Sequence, residues 1–538
     1  MSTEFESAAV PPARRMWRTV VAAGIPVVLA PFGLQFVYIL SQFYYFGAVL
    51  DASLLASVVW HNELSLMPPW WYSSCSYLSF HFSPLLEVVN GLSYLSPTSL
   101  AEYYGAFVAA TYTLVGVAMY RALIVCFQPK RWWQVGCFAL MAIAFSFNGV
   151  LEQSIWVDHF EYAIPGFLIL FLVEFKRGRR GWAALWLGLA LSVREDAGFH
   201  LAGLLVVVAA IEWRRKRSFA AIKGELGVAA IAVAYSVCAW FMATLIRRSC
   251  GGSTQFEAVY TGTPAYAHLD WHLLAGRSYS ILKAAPYLPA AAGLSFVWAA
   301  LRRNLYWLAG FAAFVPWFVL NWTAKSDACG LISGYYAFPF LLAMAWPILA
   351  VMFEHGRNVP RRALREALVL EILLLMIGLV TWDPGPRRPA FVPEYWSHWA
   401  SYKPKWIQWV DGRRRDTRAR VRQVAREIGS NPNLGIVLAD PGVLAWTFES
   451  AAQIENVMRF NERHGENVDT IAYFCPGGGH PTSDLWDAVV AAAKKGRLVK
   501  GYWAYPASIC LVTNRSEREL GPLLPLLRPL PFDAGPAH

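Results

Sequence analysis

The sequence predicts a polytopic α-helical membrane protein, about eleven transmembrane helices followed by a small C-terminal α/β domain outside the membrane. Three observations carry this. The 538 residues are 56% hydrophobic and only 15% charged, against about 25% charged in an ordinary soluble domain. Apolar runs recur through the first 382 residues and then stop. Basic residues collect in the short links between those runs: Arg14, Arg15 and Arg18; Lys130 and Arg131; residues 176–180; residues 214–217; Arg302 and Arg303; Arg357, Arg361, Arg362 and Arg365. Short basic links face the cytoplasm. The net charge of +11 is therefore a signature of topology and argues against a nucleic-acid partner.

The first apolar run, Val20 to Leu50, is too long for the core of a cleaved signal and reads as the first span. Spans follow near 103–126, 134–151, 162–175, 181–193, 197–213, 226–246, 283–301, 304–322, 335–354 and 364–382, the first being 20–45. Residues 1–382 form the membrane domain, with a large first outer loop at 46–102. A cytoplasmic N-terminus and an odd number of spans put the tail outside, with Arg247, Arg248, Lys325 and Asp327 on outer loops. Trp and Tyr near the span ends fit interfacial belts.

The stretch LALSVREDAGFHLAGLL, 189–205, places Arg194, Glu195 and Asp196 inside an apolar run. Each intramembrane charge costs about 2.5–3.5 kcal/mol on insertion scales. Both flanks of 181–213 are basic, so the chain must go out and return, turning near these charges. Each arm is shorter than the roughly 20 residues of a full span, which sinks the tip in a protein-lined recess. Residues 134–175 follow the same logic around Glu152, Asp158, His159 and Glu161. The first outer loop adds Asp51, His61, Glu63, His81 and Glu87. Three acid- or histidine-bearing segments thus converge on one outer face.

Residues 383–410 are Pro- and Trp-rich and read as an interfacial linker; 411–538 form the outer domain. An Arg-rich helix is expected over 413–429, strands at 434–440, 468–474 and 507–514, and an amphipathic helix at 483–496. PGGGH at 476–480 lacks the spacing of a phosphate loop and reads as a turn. The eight cysteines show no metal spacing. Cys475 with Cys510, and Cys250 with Cys329, share an outer location in which either pair can form a disulfide or stay as thiols.

DASLLASVVWHN (51–62), SFHFSP (79–84), VDHFEYAIP (157–165), SVREDAG (192–198) and GYYAFPF (334–340) together resemble, in that order, a bacterial family known as domain of unknown function 2079. The resemblance covers about residues 30–350. That family is similar to the GT-C glycosyltransferases, which take a sugar from a polyprenyl-phosphate donor on the outer face of the membrane. The resemblance implies a GT-C-like membrane domain in the bacterial inner membrane with a periplasmic tail. It also implies an essential acid in the first outer loop, the position of Asp51. Two departures are visible: Ala56 stands where the family often has a second Asp, and GYYAFPF lacks the family's His.

Such a reaction needs a base for the acceptor hydroxyl and cations for the departing phosphate. Asp51 is the expected base. Asp158, Glu161, Glu195 and Asp196 are placed to hold sugar hydroxyls, with Asp51, Asp158 and Glu195 as candidate ligands of a divalent cation, Mg or Mn. His81, His159 and Arg194 are expected toward the lipid phosphate, and Tyr335 and Tyr336 toward the donor. One base and no covalent intermediate imply inversion at the anomeric carbon. The partners expected are a polyprenyl-phosphate-linked sugar, a glycan or lipid acceptor, and membrane lipids. Each residue has a plainer role: Arg194 and Glu195 as a buried brace, Asp158 or Asp51 as a helix cap, His81 as a core hydrogen-bonding group. Two other functions remain compatible with the sequence, a lipid or solute transporter and a non-catalytic envelope assembly factor. Transporters usually carry charges at the midplane and inverted repeats; here the charges sit at outer tips and no repeat is visible.

Overall fold

Eleven expected apolar segments meet a mostly helical chain. The computed structural model describes residues 12–44, 52, 55–56, 58–60, 77–148, 150–151, 159–249, 256–326, 332, 334–356, 359–380, 415–439, 443, 453–456, 469–475, 500–504, 507 and 509–530. The helices of the first part are α1 (Pro12–Tyr44), α2 (Pro84–Ser93), α3 (Leu100–Phe127), α4 (Trp132–Phe145), α5 (Ala163–Lys176), α6 (Arg180–Val193), α7 (Ala197–Lys216) and α8 (Lys223–Ser249). They continue with α9 (Trp271–Ala284), α10 (Tyr287–Arg302), α11 (Val315–Trp322), α12 (Phe340–His355) and α13 (Arg361–Val380). Among the described residues, four helices are long and apolar enough to cross a membrane, lying within α1, α3, α7 and α8. Two bent pairs raise this to six: α9 with α10, bent by 85°, and residues 305–313 with α11, bent by 48°. Length and apolarity are thus those of a membrane-type helical protein, and four to six of the eleven expected spans are found among the described residues.

Burial sorts these helices. Every residue of α12 from Phe340 to Phe353 is buried, as a helix apolar all round must be when it sits in the centre of a bundle. By contrast, α1 exposes Val21, Ile25 and Leu29, and α8 exposes Ile231, Val237 and Phe241. In a soluble protein such faces are liabilities; against hydrocarbon they are the natural outer surface.

Local chemistry sets the helix starts. The Ser99 amide donates to Glu102 Oε2 at 3.2 Å, closing the first turn of α3. At the head of α4, Lys130 and Arg131 amides both donate to Gln134 Oε1, at 2.9 and 3.1 Å. Small residues then let helices approach. The Gly198 amide in α7 donates to Ser236 Oγ of α8 at 3.1 Å, and a methyl at Gly198 would overlap the Ala232 carbonyl. Gly198→Ala should therefore push α7 off α8, at a cost of about 1–3 kcal/mol, read as a lower melting temperature of the detergent-solubilised chain. An unchanged melting temperature would mean that the α7–α8 contact is looser than drawn.

The turn between α6 and α7 does bring both basic flanks back to one end. Lys176 lies over the Phe353 ring at 4.2 Å, and Arg215 reaches Glu354 at 3.0 Å; Phe353 and Glu354 are neighbours in α12. One expectation needs correcting. The arms are unequal: α6 has 14 residues, but α7 has 20, about 30 Å at 1.5 Å per residue, enough to span. Beyond the turn the two arms pack on different neighbours, α6 mainly on α5 and α7 mainly on α8.

Among the described residues the tail holds α14 (Arg415–Ser430), α15 (Glu517–Leu520) and six strands: β1 (Ile436–Ala439), β2 (Gln453–Asn456), β3 (Thr470–Phe474), β4 (Lys500–Ala504), β5 (Ile509–Thr513) and β6 (Arg528–Leu530). One sheet runs in the order β2-β1-β3-β5-β4-β6. The β1 pairings are parallel and the remainder antiparallel. Fully buried β5 is its spine. Cys475 and Cys510 form a disulfide beside the β3–β5 ladder, one of the two pairings the sequence allowed. The linker 383–410, the helix expected at 483–496, PGGGH, Cys250 and Cys329 lie outside the described residues.

Candidate functional site

Three chain segments meet at the end of the bundle away from those basic flanks: the turn at 80–83, the approach to α5 at 159–162, and the turn at 194–196. Aromatic contacts between α3 and the second of these, Phe107 with Phe160 and Tyr112 with Tyr162, fix its depth.

Arg194 is the centre, and only 2% of its side chain is exposed. It ends α6 in an extended conformation, which turns the guanidinium inward. Nε donates to Asp196 Oδ1 at 2.8 Å and Nη2 to Asp196 Oδ2 at 2.6 Å, a bidentate pair. Nη1 donates to Glu161 Oε1 at 3.1 Å. The guanidinium lies 4.9 Å from the Trp317 ring centroid and 5.1 Å from that of Phe338. Asp196 stands at the head of α7 without capping it, because Arg194 claims its oxygens. His200, one turn on, adds Nε2 at 3.3 Å from Asp196 Oδ2 and holds the Ala313 carbonyl through Nδ1 at 2.9 Å.

Glu161 is bound from its other side by His159 Nδ1 at 2.9 Å. Burial alone would raise the Glu161 carboxyl; the His159 charge and hydrogen bond, and then Arg194, outweigh it and hold the group below the usual carboxylate range. A depressed folded-state value means stabilisation that is present above the ordinary Glu range and lost as acid protonates it.

Glu195 points elsewhere. Its Oε1 lies 2.8 Å from His81 Nδ1 and its Oε2 accepts the Phe82 amide at 2.9 Å. This is the accessible edge of the cluster: 26% of the His81 side chain and 15% of Glu195 are exposed. Among the described residues nothing hydrogen-bonds His81 Nε2. The Arg247 guanidinium lies over Phe80 at 4.1 Å, putting a cation beside this edge. Tyr235 of α8 lies within electrostatic reach of Glu195, and its buried hydroxyl has no hydrogen-bond partner among the described residues.

The sequence-derived roles divide accordingly. Arg194 pairs with Asp196 and Glu161 and not with Glu195, so the expected Arg194–Glu195 brace is corrected in its partners. Each guanidinium nitrogen of Arg194 donates to a carboxylate, so three of its five N–H groups are engaged within the cluster. His159 is buried and meets Glu161 through Nδ1. Asp196 is paired with Arg194 and His200, and Glu161 with Arg194 and His159. His81 and Glu195 are the more exposed pair of the cluster. Tyr336 gives its carbonyl to Trp317 Nε1 at 2.6 Å and stacks on that ring, so it supports the wall behind Arg194. Asp51, Asp158 and the Tyr335 side chain lie outside the described residues. Among the described residues no three His, Cys, Asp or Glu side chains gather as a metal site; Glu195 meets one histidine.

His200 was legible as the residue one helical turn beyond Asp196. Tyr235 was not, for it is one aromatic in an unbroken apolar helix. No protein-family model matches the chain, and no curated protein matches it.

Proposed function

We propose that the protein is a membrane-embedded glycosyltransferase of GT-C type, moving a sugar from a polyprenyl-phosphate donor to a glycan or lipid acceptor on the outer, periplasmic face, with inversion. The observation that supports it most is the division of labour in the charged cluster. A buried Arg194–Glu161–Asp196 core holds Glu195 and His81 at an accessible edge, at the ends of membrane helices. A purely structural brace needs the first part and has no use for the second. His81 Nε2 and Arg247 are suited to the donor phosphate, Glu195 and the Tyr235 hydroxyl to sugar hydroxyls, and Asp51, by the resemblance, to the acceptor as general base. In this reading the eleven spans expected from the sequence all lie in the membrane. The disulfide in the tail supports an oxidising, extracytoplasmic compartment for it. A divalent cation would have to be held by Asp51 or Asp158 together with the sugar phosphate.

The test is turnover of a polyprenyl-phosphate hexose or pentose by the purified full chain in proteoliposomes, followed by release of polyprenyl phosphate. Glu195→Gln keeps the shape and an oxygen for the Phe82 amide while removing the charge. It should leave the melting temperature nearly unchanged and raise the KM for donor about tenfold, the usual size of one hydrogen bond to a charged group. No turnover of any polyprenyl-phosphate sugar, with donor lipid instead moved from leaflet to leaflet, would replace the enzyme with a transporter.

A further inference from the structure

At the opposite end of the bundle lies a cavity of about 500 Å³ between the ends of α3, α5 and α12 and the start of α1. Since α5 has 14 residues, about 21 Å at 1.5 Å per residue separate it from the Arg194 cluster, and no residue is shared. Its polar wall is cationic. Arg121 donates to Glu174 Oε1 through Nε at 3.0 Å and Nη2 at 2.6 Å. Arg177 reaches the same oxygen at 3.3 Å, and Arg179 the other at 3.7 Å. Lys176 pairs with Glu225 at 2.8 Å. Among the described residues four cations therefore face two carboxylates, a surplus of two positive charges. Three arginines crowd one buried carboxylate, which can neutralise one of them. Burial and the neighbouring Arg121 push the Arg177 guanidinium down from its usual range. Apart from Gln128, the remaining wall is mainly apolar, with Trp17, Ile124, Val125 and Met352 on it.

A cationic recess beside an apolar wall, at the end of membrane helices that carries the basic links, matches a lipid with an anionic headgroup. We infer that this cavity binds the phosphodiester headgroup of an anionic phospholipid, with Arg177 and Arg179 meeting the phosphate and Arg121 remaining on Glu174. Two phosphodiesters would balance the surplus, so cardiolipin should bind more tightly than phosphatidylglycerol, and phosphatidylethanolamine least. The inference needs only that the helices lie in a membrane; it does not rest on the glycosyltransferase reading.

Native mass spectrometry of the full chain in detergent, with each of the three lipids added, reads this directly. The expected result is cardiolipin retention at least tenfold above phosphatidylethanolamine. The double variant Arg177→Gln/Arg179→Gln should abolish the difference, while Arg179→Lys preserves most of it. Arg214→Gln, an exposed arginine outside the cavity, is the control for general surface attraction and should change nothing. Loss of folding is separated by melting temperature: without lipid the double variant should melt within a few degrees of the parent, and cardiolipin should stabilise only the parent. Equal loss in Arg214→Gln would overturn the inference, as would equal retention of all three lipids. Displacement of cardiolipin by millimolar inorganic phosphate would also overturn it, by showing a site for a soluble anion.

Discussion

Arg194→Ala is expected to lower stability by about 3–5 kcal/mol, because it strands two buried carboxylates without their shared cation. Asp196 would lose a bidentate partner at 2.6 and 2.8 Å, and Glu161 its 3.1 Å donor. Glu161, 2% exposed, cannot turn to water, and Asp196, 13% exposed, can reach it only at one edge. His159 and His200 would remain, holding one oxygen of each acid. Arg194→Lys should recover little, because an ammonium cannot bridge Asp196 in two places and still reach Glu161. Arg194→Met tests the origin of the loss. With Glu161→Gln and Asp196→Asn added, the uncompensated charges vanish, and much of the stability should return. Melting of the detergent-solubilised variants measures all four. A fall of under 1 kcal/mol for Arg194→Ala would mean that the cluster is hydrated and that Arg194 is free for a ligand after all.

The same residues show how far the sequence can be read. The turn at 194–196 was legible because charge in an apolar run is expensive and because basic links on both sides fix the direction of the chain. The convergence of 80–83, 159–162 and 194–196 followed from the same alternation. What the sequence does not carry is which acid faces which base. Three consecutive charges differ by about 100° of rotation each on a helix, and here the helix breaks between them. The extended Arg194 backbone sends its side chain inward while Glu195 is sent toward His81. Pairing is thus decided by one residue's backbone conformation, which no periodicity reports. Helix α12 was legible as apolar, but its central position shows only in its uniform burial. In the tail, strands β1, β3 and β5 were visible as apolar runs. Strands β2, β4 and β6 were not, since Gln453–Asn456 and Arg528–Leu530 are too short and polar to announce themselves and Lys500–Ala504 contains a glycine.

Asp51→Asn is expected to leave the chain folded and able to bind donor lipid while transfer falls by about 10²–10⁴-fold, the usual worth of a general base. The substitution keeps the side chain's size and removes only the charge and the proton acceptor. Under the proposed mechanism the donor is held by the His81–Glu195 edge and Arg247, which Asp51→Asn does not touch, so the loss should appear in kcat with KM for donor nearly constant. Glu195→Gln should give the opposite split. The fall should be least at high pH if the acceptor hydroxyl ionises without help, since a base matters only while the proton has to be removed. The pair of variants separates three readings. A kcat loss in Asp51→Asn with a KM change in Glu195→Gln supports transfer at this face. Loss of donor binding in Asp51→Asn would instead make Asp51 a ligand of the donor or its cation. Full transfer in Asp51→Asn, with Arg194→Ala merely unstable, would make the whole charged turn a structural brace and move the chemistry elsewhere in the chain.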